Sequence, residues 1–104
     1  MDRLRSLLFV PGNREDMLDK AGAFPADALV PDMEDSVPAG EKERARAVTA
    51  SFLPRLAAAG PLVIPRVNPL DSGLMEDDLV AVMGPHIYGV SVGKTDRADQ
   101  VHHI

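Results

Sequence analysis

The feature that most constrains the fold is a regular alternation between short apolar runs and longer segments with helical spacing. Four runs of strand length, rich in Val, Leu and Ile, stand at residues 6–10, 28–30, 62–67 and 88–92. Strands that are buried on both faces of a parallel sheet have this continuous apolar character. The pattern therefore predicts four strands that are joined by helices rather than by hairpins.

The segments between these runs carry the signs of helices. Asn13 is a candidate cap for a first helix, and an apolar stripe predicts a longer second helix over residues 41–59. Pro54 lies inside this second helix and is expected to kink or shorten it. Residues 75–83 predict a third helix, and a fourth is predicted to begin near Arg97. Right-handed crossovers turn this β-α-β-α-β-α-β-α order into a parallel sheet covered by helices.

The length of 104 residues limits the chain to one domain or part of one. A (β/α)8 barrel needs about 250 residues, whereas an open flavodoxin-like sheet is complete in well under about 150. Length alone therefore favours the open sheet.

Composition excludes several classes of function. The net charge is −5 and the arginines are interleaved with acids, so no basic patch for nucleic acid is visible. The chain has no cysteine, which rules out disulfides and Cys-type zinc sites and fits a reducing compartment. The first apolar run is too short for a signal peptide or a membrane span. No membrane partner is expected, and the expected location is cytoplasmic.

Candidate functional residues follow the predicted strands, because parallel α/β sheets gather functional side chains at the carboxyl ends of their strands. After the first strand, a Pro-Gly turn leads into Asn13 and Arg14, which offer an amide and a guanidinium to a phosphate or carboxylate. The alternative is a plain strand-to-helix turn with a solvated arginine. After the fourth strand, Lys94 is an anion ligand, a Schiff-base amine if it is desolvated, or a surface ion-pair partner.

The second and third strands are followed by charged residues of opposite sign. Asp32, Glu34 and Asp35 place three carboxylates within four residues, and such a cluster repels itself unless it faces water or neighbours a cation. Arg66 ends a strand that is expected to be buried, where an unpaired guanidinium is costly. Arg66 is interpreted either as a clamp for a substrate carboxylate or as a structural ion pair with Glu34 or Asp35, and the two interpretations are compatible.

Taken in order, these strand-end motifs resemble those of the citrate lyase β-subunit family, within the HpcH/HpaI aldolase superfamily that also holds malyl-CoA lyases. The matching stretches are RSLLFVPGNR at 5–14, DMEDSVP at 32–38, RVNP at 66–69, EDDL at 76–79 and GKTD at 93–96. Each motif is weak alone, but five in the family's order are specific.

The resemblance implies an α/β fold in which residues 1–104 are the first half of a (β/α)8 TIM barrel, truncated after about four parallel βα units. It also implies a Mg²⁺-dependent carbon–carbon lyase. Such an enzyme cleaves a citryl- or malyl-type thioester of CoA or of an acyl-carrier protein into an oxo acid and an acetyl thioester.

The resemblance further assigns roles to the matching residues. In that family the arginine matching Arg66 binds the carboxylate of the oxo-acid portion. The loop matching residues 11–14 lies near the thioester carrier, where Arg14 meets phosphates. The acids matching Glu34 and Asp35 lie beside the metal and orient its waters.

Three departures from the family pattern bear on function. The family's metal-ligating residues match positions beyond Ile104, so this chain is expected to supply no direct metal ligand and to be inactive or nearly so alone. Pro31 and Pro65 each remove an N–H group from an interior strand, which predicts strain or strand shortening. Gly93 and Asp96 replace the Pro and Glu that are usual in the last motif.

A half-barrel leaves two unpaired sheet edges and deprives its inward side chains of an opposite wall. We therefore expect the chain to form a homo-oligomer or to pair with a complementary subunit. Two rival hypotheses follow: a non-catalytic half-barrel assembly module, and an open-sheet domain that binds CoA or phosphate without metal.

Overall fold

The structure is a computed structural model that describes residues 6–92 and the strand at 100–103. The elements in chain order are β1 (Leu7–Pro11), α1 (Glu15–Ala21), β2 (Ala28–Asp32), α2 (Lys42–Ala58), β3 (Leu62–Val63), β4 (Arg66–Val67), α3 (Met75–Val82), β5 (Gly89–Val92) and β6 (Gln100–His103). Single 3-10 turns at Ala39–Glu41 and Leu70–Ser72 precede α2 and α3. None of the helices in this part of the chain combines the length and apolar character that crossing a membrane requires.

The strands form one sheet in which neighbours along the chain are also neighbours in space. Both β3 and β4 pair with β2, and the strands from β1 to β5 run parallel. An α/β fold with a parallel sheet is therefore confirmed. The ascending strand order has no reversal, whereas doubly wound sheets reverse their order at a switch point. The described strands thus do not form the flavodoxin-like sheet that chain length favoured.

The helices pack on one face of the sheet. The main core joins strand residues at alternate positions to apolar residues from all three helices; its members include Val10, Leu29, Val63, Val67, Leu18, Phe52, Leu53, Leu56 and Val82. A smaller cluster of Ala28, Val30 and Ile64 lies on the opposite face. Crossovers of one hand between strands that advance in one direction put every helix on the same side. This arrangement leaves the carboxyl ends of the strands aligned at one edge.

The two prolines act on the third predicted strand rather than on the second. β2 keeps all five residues, Pro31 included, whereas the single strand predicted over 62–67 is divided into β3 and β4. The Ile64 N–H donates to the Leu29 carbonyl at 2.9 Å. In a parallel ladder the next hydrogen bond between these two strands would be donated by the N–H of residue 31. Pro31 has no N–H, so this bond is missing. The predicted shortening is therefore confirmed, and it falls on the partner strand.

Two other predictions about elements differ from the structure. α2 continues through the exposed Pro54 to Ala58, so this proline does not shorten the helix. The helix predicted to begin near Arg97 is wrong for Gln100–His103, which form a strand antiparallel to β5. The edge of β5 offers backbone groups that this strand can pair. Arg97 itself lies outside the described residues.

Gly12 allows β1 to end close against β2 and α2. A Cβ atom at this position would lie 2.5 Å from Thr49 Oγ1 and 2.8 Å from the Asp32 carbonyl oxygen. We expect Gly12→Ala to lower the free energy of unfolding by about 1–3 kcal/mol through overpacking, as measured by urea denaturation. Gly40 is the matched control, since a Cβ there meets nothing within 4 Å. Equal losses in the two variants would contradict the steric explanation.

Candidate functional site

The candidate site lies at the carboxyl ends of β2 and β4, where Asp32 and Arg66 are partners in the sheet register. Arg66 Nε donates to Asp32 Oδ1 at 2.9 Å, and Arg66 Nη2 donates to Asp32 Oδ2 at 2.8 Å. The side chains of Arg66 and Asp32 are 15% and 2% exposed. This is a largely buried, bidentate ion pair, which fixes geometry as well as charge.

Asp32 also organises the loop that follows β2. Its carboxylate accepts hydrogen bonds from the Glu34 N–H at 2.9 Å, the Ser36 N–H at 3.1 Å and the Ser36 hydroxyl at 2.8 Å. Burial raises the pKa of Asp32, but the bonds from Arg66, Glu34 and Ser36 outweigh burial and bring the pKa down to about 2. Asp32 is therefore an ionised acceptor over the whole physiological pH range.

Because of this lowered pKa, the free energy of unfolding should decrease as the pH falls into the acidic range. The folded-state pKa of Asp32 is about 2 against 3.8 for an unperturbed carboxyl, so the unfolded chain binds this proton first as pH falls. The contribution, on the order of 2 kcal/mol, is complete above the unfolded pKa and is lost as pH falls toward the folded pKa. We expect unfolding free energies measured between pH 5 and about pH 2 to show this loss. Asp32→Asn should flatten the slope, and an unchanged slope would refute the assignment to Asp32.

The other two acids of the loop flank the same guanidinium. Glu34 Oε1 lies 4.0 Å from Arg66 Nε, and Asp35 Oδ2 lies 4.0 Å from Arg66 Nη2. Glu34 is 14% exposed and Asp35 is 78% exposed. Burial, followed by the charge of Asp35, raises the pKa of Glu34. The structure brings the three predicted residues together, but the close partner of Arg66 is Asp32, which sequence reasoning left without a role.

Two further residues hold this cluster in place. The Phe9 ring on β1 stacks on Arg66, with 4.9 Å between Cζ and the ring centroid. Lys42 Nζ donates to the Met33 carbonyl at 3.3 Å and also to the Glu34 carbonyl. Lys42 therefore ties the start of α2 to the acidic loop, the segment after β2 that carries Glu34 and Asp35. Phe9 covers one face of the guanidinium.

A second buried ion pair supports the loop from the helix side. Asp78 Oδ1 accepts a hydrogen bond from Arg46 Nε at 3.0 Å, and Asp78 Oδ2 accepts from the Asn68 N–H and side-chain amide at 3.0 and 2.7 Å. The same Asn68 amide donates to the Met33 carbonyl at 3.0 Å. Sequence reasoning placed Asn68 and Asp78 in motifs but gave them no role. The adjacent Asp77 is exposed, and acids in a first helical turn give no signal that separates buried from exposed ones.

The candidate residues at the end of the first strand, Asn13 and Arg14, make contacts that the sequence did not predict. Asn13 does not cap α1; the N-cap is Arg14, and Asn13 Nδ2 donates to Glu41 Oε1 at 2.9 Å. The Arg14 N–H donates to the Pro11 carbonyl, so the turn runs one residue further before the helix begins. Arg14 is exposed and bonded to Asp16, which lowers the pKa of that carboxyl.

Within the described residues, neither Asn13 nor Arg14 shares a hydrogen bond or ion pair with Arg66, Glu34 or Asp35. Lys94 lies outside the described residues. Across residues 6–92, no group of three or more His, Asp or Glu side chains is placed to hold a metal ion. The acids of the loop surround the guanidinium instead of a common coordination point.

Comparison with known proteins gives one consistent result. The HpcH/HpaI aldolase/citrate lyase family model matches residues 5–104. A citrate lyase subunit beta-like protein of Deinococcus radiodurans is 42% identical over 105 residues, covering 97% of this chain and 37% of that protein. The citrate lyase subunit beta of Escherichia coli (strain K12) is 41% identical over 97 residues, covering 93% and 32%.

A (3S)-malyl-CoA thioesterase of Cereibacter sphaeroides is 33% identical over 100 residues, covering 96% of this chain and 35% of that protein. The chain thus spans about a third of the length of these relatives.

Proposed function

The chain belongs to the HpcH/HpaI aldolase/citrate lyase family, and from this premise we propose that it is the N-terminal part of a carbon–carbon lyase. The proposed substrate is a citryl- or malyl-type thioester of CoA or of an acyl-carrier protein, and the products are an oxo acid and an acetyl thioester. The observation that carries the proposal is the largely buried Arg66 at the end of β4, held beside Asp32, Glu34 and Asp35.

The proposed reaction is a retro-aldol cleavage. Loss of the hydroxyl proton turns the hydroxyl carbon into the carbonyl of the oxo acid as the carbon–carbon bond breaks. The bonding electrons become the thioester enolate, and a proton returned to that carbon gives the acetyl thioester. A fixed cation on the oxo-acid carboxylate orients the bond that breaks and lowers the barrier.

Arg66 is the described residue best suited to that task, because its orientation is fixed and its charge stands in a largely buried place. We assign Glu34 and Asp35 to the orientation of water beside the reacting atoms. By resemblance we assign Asn13 and Arg14 to the thioester carrier, with Arg14 at its phosphates, and we assign Lys94 to substrate binding. The position of Arg14 in the first turn after β1, exposed to solvent, supports access by a large carrier.

The resemblance also implies Mg²⁺, which would polarise the forming carbonyl in the complete enzyme. The described residues do not fit a divalent ion as its direct ligands. We propose that the ligands lie beyond Ile104, in the remaining units of a (β/α)8 barrel. The ascending strand order and the helices on one face support this architecture for residues 1–104.

The proposal is tested by joining this chain to the C-terminal two thirds of the Escherichia coli citrate lyase subunit beta. The chain alone is expected to be inactive or nearly so, whereas the joined protein is expected to cleave a citryl or malyl thioester with Mg²⁺. Arg66→Ala should reduce kcat/KM by about 10²-fold or more, and Arg66→Lys should not restore it, since lysine cannot form the bidentate contact. A joined protein that unfolds cooperatively but cleaves neither thioester would count against the assignment.

One observation favours a second candidate, a non-catalytic assembly module. Among the described strands, β1 has a neighbour on one side only, and Leu7 and Phe9 are exposed there. A groove of about 240 Å³ beside β1 is lined by Leu8, Met17 and Phe24. An open edge next to apolar surface is suited to a second copy or a complementary subunit. Light scattering that finds a monomer at high concentration would remove this candidate.

A further inference from the structure

Lys42, the first residue of α2, directs a positive charge at the backbone of the acidic loop. Its Nζ donates to the Met33 carbonyl at 3.3 Å and also to the Glu34 carbonyl. Each ion pair among the described residues joins an arginine to a carboxylate, so Lys42 forms no ion pair in this part of the chain. Carbonyl oxygens carry only partial charges and do not neutralise an ammonium. The charge of Lys42 therefore acts on the ionisable side chains of the loop.

Other donors hold the same two carbonyls. The Met33 carbonyl also accepts the Asn68 side-chain amide at 3.0 Å, and the Glu34 carbonyl also accepts the Val37 N–H at 3.2 Å. A carbonyl oxygen has two lone pairs, so it serves both of its donors. If the Lys42 ammonium is removed, each carbonyl keeps one donor and remains satisfied. A substitution of Lys42 should therefore change the charge beside the loop more than the path of the loop.

Glu34 is the acid on which this charge bears. Its side chain is 14% exposed, and Oε1 lies 4.0 Å from Arg66 Nε. Burial raises the pKa of Glu34, and the negative charges of Asp35 and Asp32 raise it further. The positive charges of Arg66 and Lys42 lower the pKa of Glu34. Arg66 is already bound to Asp32 through two bonds, so Lys42 is the one of these two cations that is not paired with another acid.

We propose that Lys42 is a positioning residue, which through the Met33 and Glu34 carbonyls and its own charge holds the Glu34 carboxylate beside Arg66 and favours its ionised form. This inference rests on the proposed function for the use of that carboxylate, which is to orient water beside the reacting atoms. An ionised carboxylate only accepts hydrogen bonds, whereas a protonated one also donates, so its charge decides how such a water is turned. The opposite case is that Lys42 only joins α2 to the loop, and that Glu34 does not respond to its charge.

The test is ¹³C NMR of the carboxyl groups in the 104-residue chain, titrated with acid. The Glu34 signal is identified by its loss in Glu34→Gln. In Lys42→Met, which removes the charge and keeps a flexible side chain of similar length, the midpoint of the Glu34 titration should move to higher pH. In Lys42→Arg, which keeps the charge, the midpoint should stay close to that of the unsubstituted chain. Lys20→Met is the matched control, because it removes the same charge from an exposed position in the last turn of α1, and it should leave the Glu34 midpoint unchanged.

The positioning role is overturned if Lys42→Met lowers the free energy of unfolding while the Glu34 midpoint stays in place, because Lys42 would then be a structural tie only. The unsubstituted chain decides the question even if Lys42→Met does not fold. In that chain the ¹⁵Nζ signal of Lys42, identified by its loss in Lys42→Arg, should shift at the pH at which Glu34 titrates, because an interaction between two charges is felt by both. The shift should disappear in Glu34→Gln. A signal that does not move at this midpoint, or that still moves in Glu34→Gln, overturns the proposal.

Activity of the joined protein tests the use of Glu34 separately. Lys42→Met should lower kcat about tenfold or more, the loss expected when an outer partner of a reaction centre is removed, and Lys42→Arg should recover most of it. If the joined protein cleaves neither thioester while both NMR responses appear, the proposed function fails and the link between Lys42 and Glu34 stands. If it cleaves a thioester and Lys42→Met moves the Glu34 midpoint without lowering kcat, the proposed function stands and the positioning role in the reaction is overturned.

Discussion

Arg66→Leu is expected to lower the free energy of unfolding by about 3–5 kcal/mol, because it leaves the Asp32 carboxylate buried without its guanidinium. The substitution keeps much of the aliphatic volume, so the loss comes mainly from the uncompensated charge. Asp32 would retain its three bonds from Glu34 and Ser36, but these donors carry no formal charge and leave the buried carboxylate unneutralised. Urea denaturation at neutral pH measures the effect.

The double variant Arg66→Leu/Asp32→Leu distinguishes the stability that the ion pair contributes from the cost of leaving one buried charge unpaired. It is expected to lose much less than the sum of the single losses, because no buried charge is left over. Arg55→Ala is the matched control, since the Arg55–Asp19 pair lies on the surface and surface pairs contribute about 0–1 kcal/mol. Additive losses in the double variant would show that the two residues are not coupled.

Asp78→Ala is expected to cost a similar amount, about 3–5 kcal/mol. The substitution removes the acceptor for Arg46 and for both the backbone and side-chain donors of Asn68, all of which are buried or nearly so. It also frees the Asn68 amide that holds the Met33 carbonyl, so the acidic loop should lose part of its support.

Asp77→Ala is the natural comparison for Asp78→Ala, because Asp77 is the adjacent acid in the same helical turn and is exposed. Its effect should stay within about 0.5 kcal/mol. Both variants are compared by urea denaturation under the same conditions. Comparable losses in the two would mean that the acidic first turn of α3, rather than the buried pair, carries the stability.

The sheet and its helices could be predicted from the sequence, because strands buried on both faces are continuously apolar and helices have apolar residues at helical spacing. Continuous runs of Val, Leu and Ile indicated β1, β2 and β5, and an apolar stripe at helical spacing indicated α2. The break between β3 and β4 followed from Pro31 and Pro65, although the chain alone did not show which strand would lose the bond. The edge pairing of Gln100–His103 depends on a neighbour distant in sequence, and so local propensity did not reveal it.

The candidate site was predicted in part for the same physical reason. Arg66 stood out because a charge at the end of a buried strand needs a partner, and the acids at 34 and 35 were in reach. Asp32 was not given a role, because which of three nearby acids faces inward depends on the register between β2 and β4. Asn13 resembled a helix cap by type, but the turn at Gly12 delays the helix by one residue.

The backbone of the central pair has a consequence for how new chemistry could arise in this fold. The Asp32 carbonyl accepts the Gly12 N–H and the Arg66 carbonyl accepts the Met33 N–H, so the two residues whose side chains form the buried ion pair also join three loops. A variant that took a different substrate would still need them to fold. Altered specificity is therefore expected to come from substitutions outside this buried pair, which stays the same.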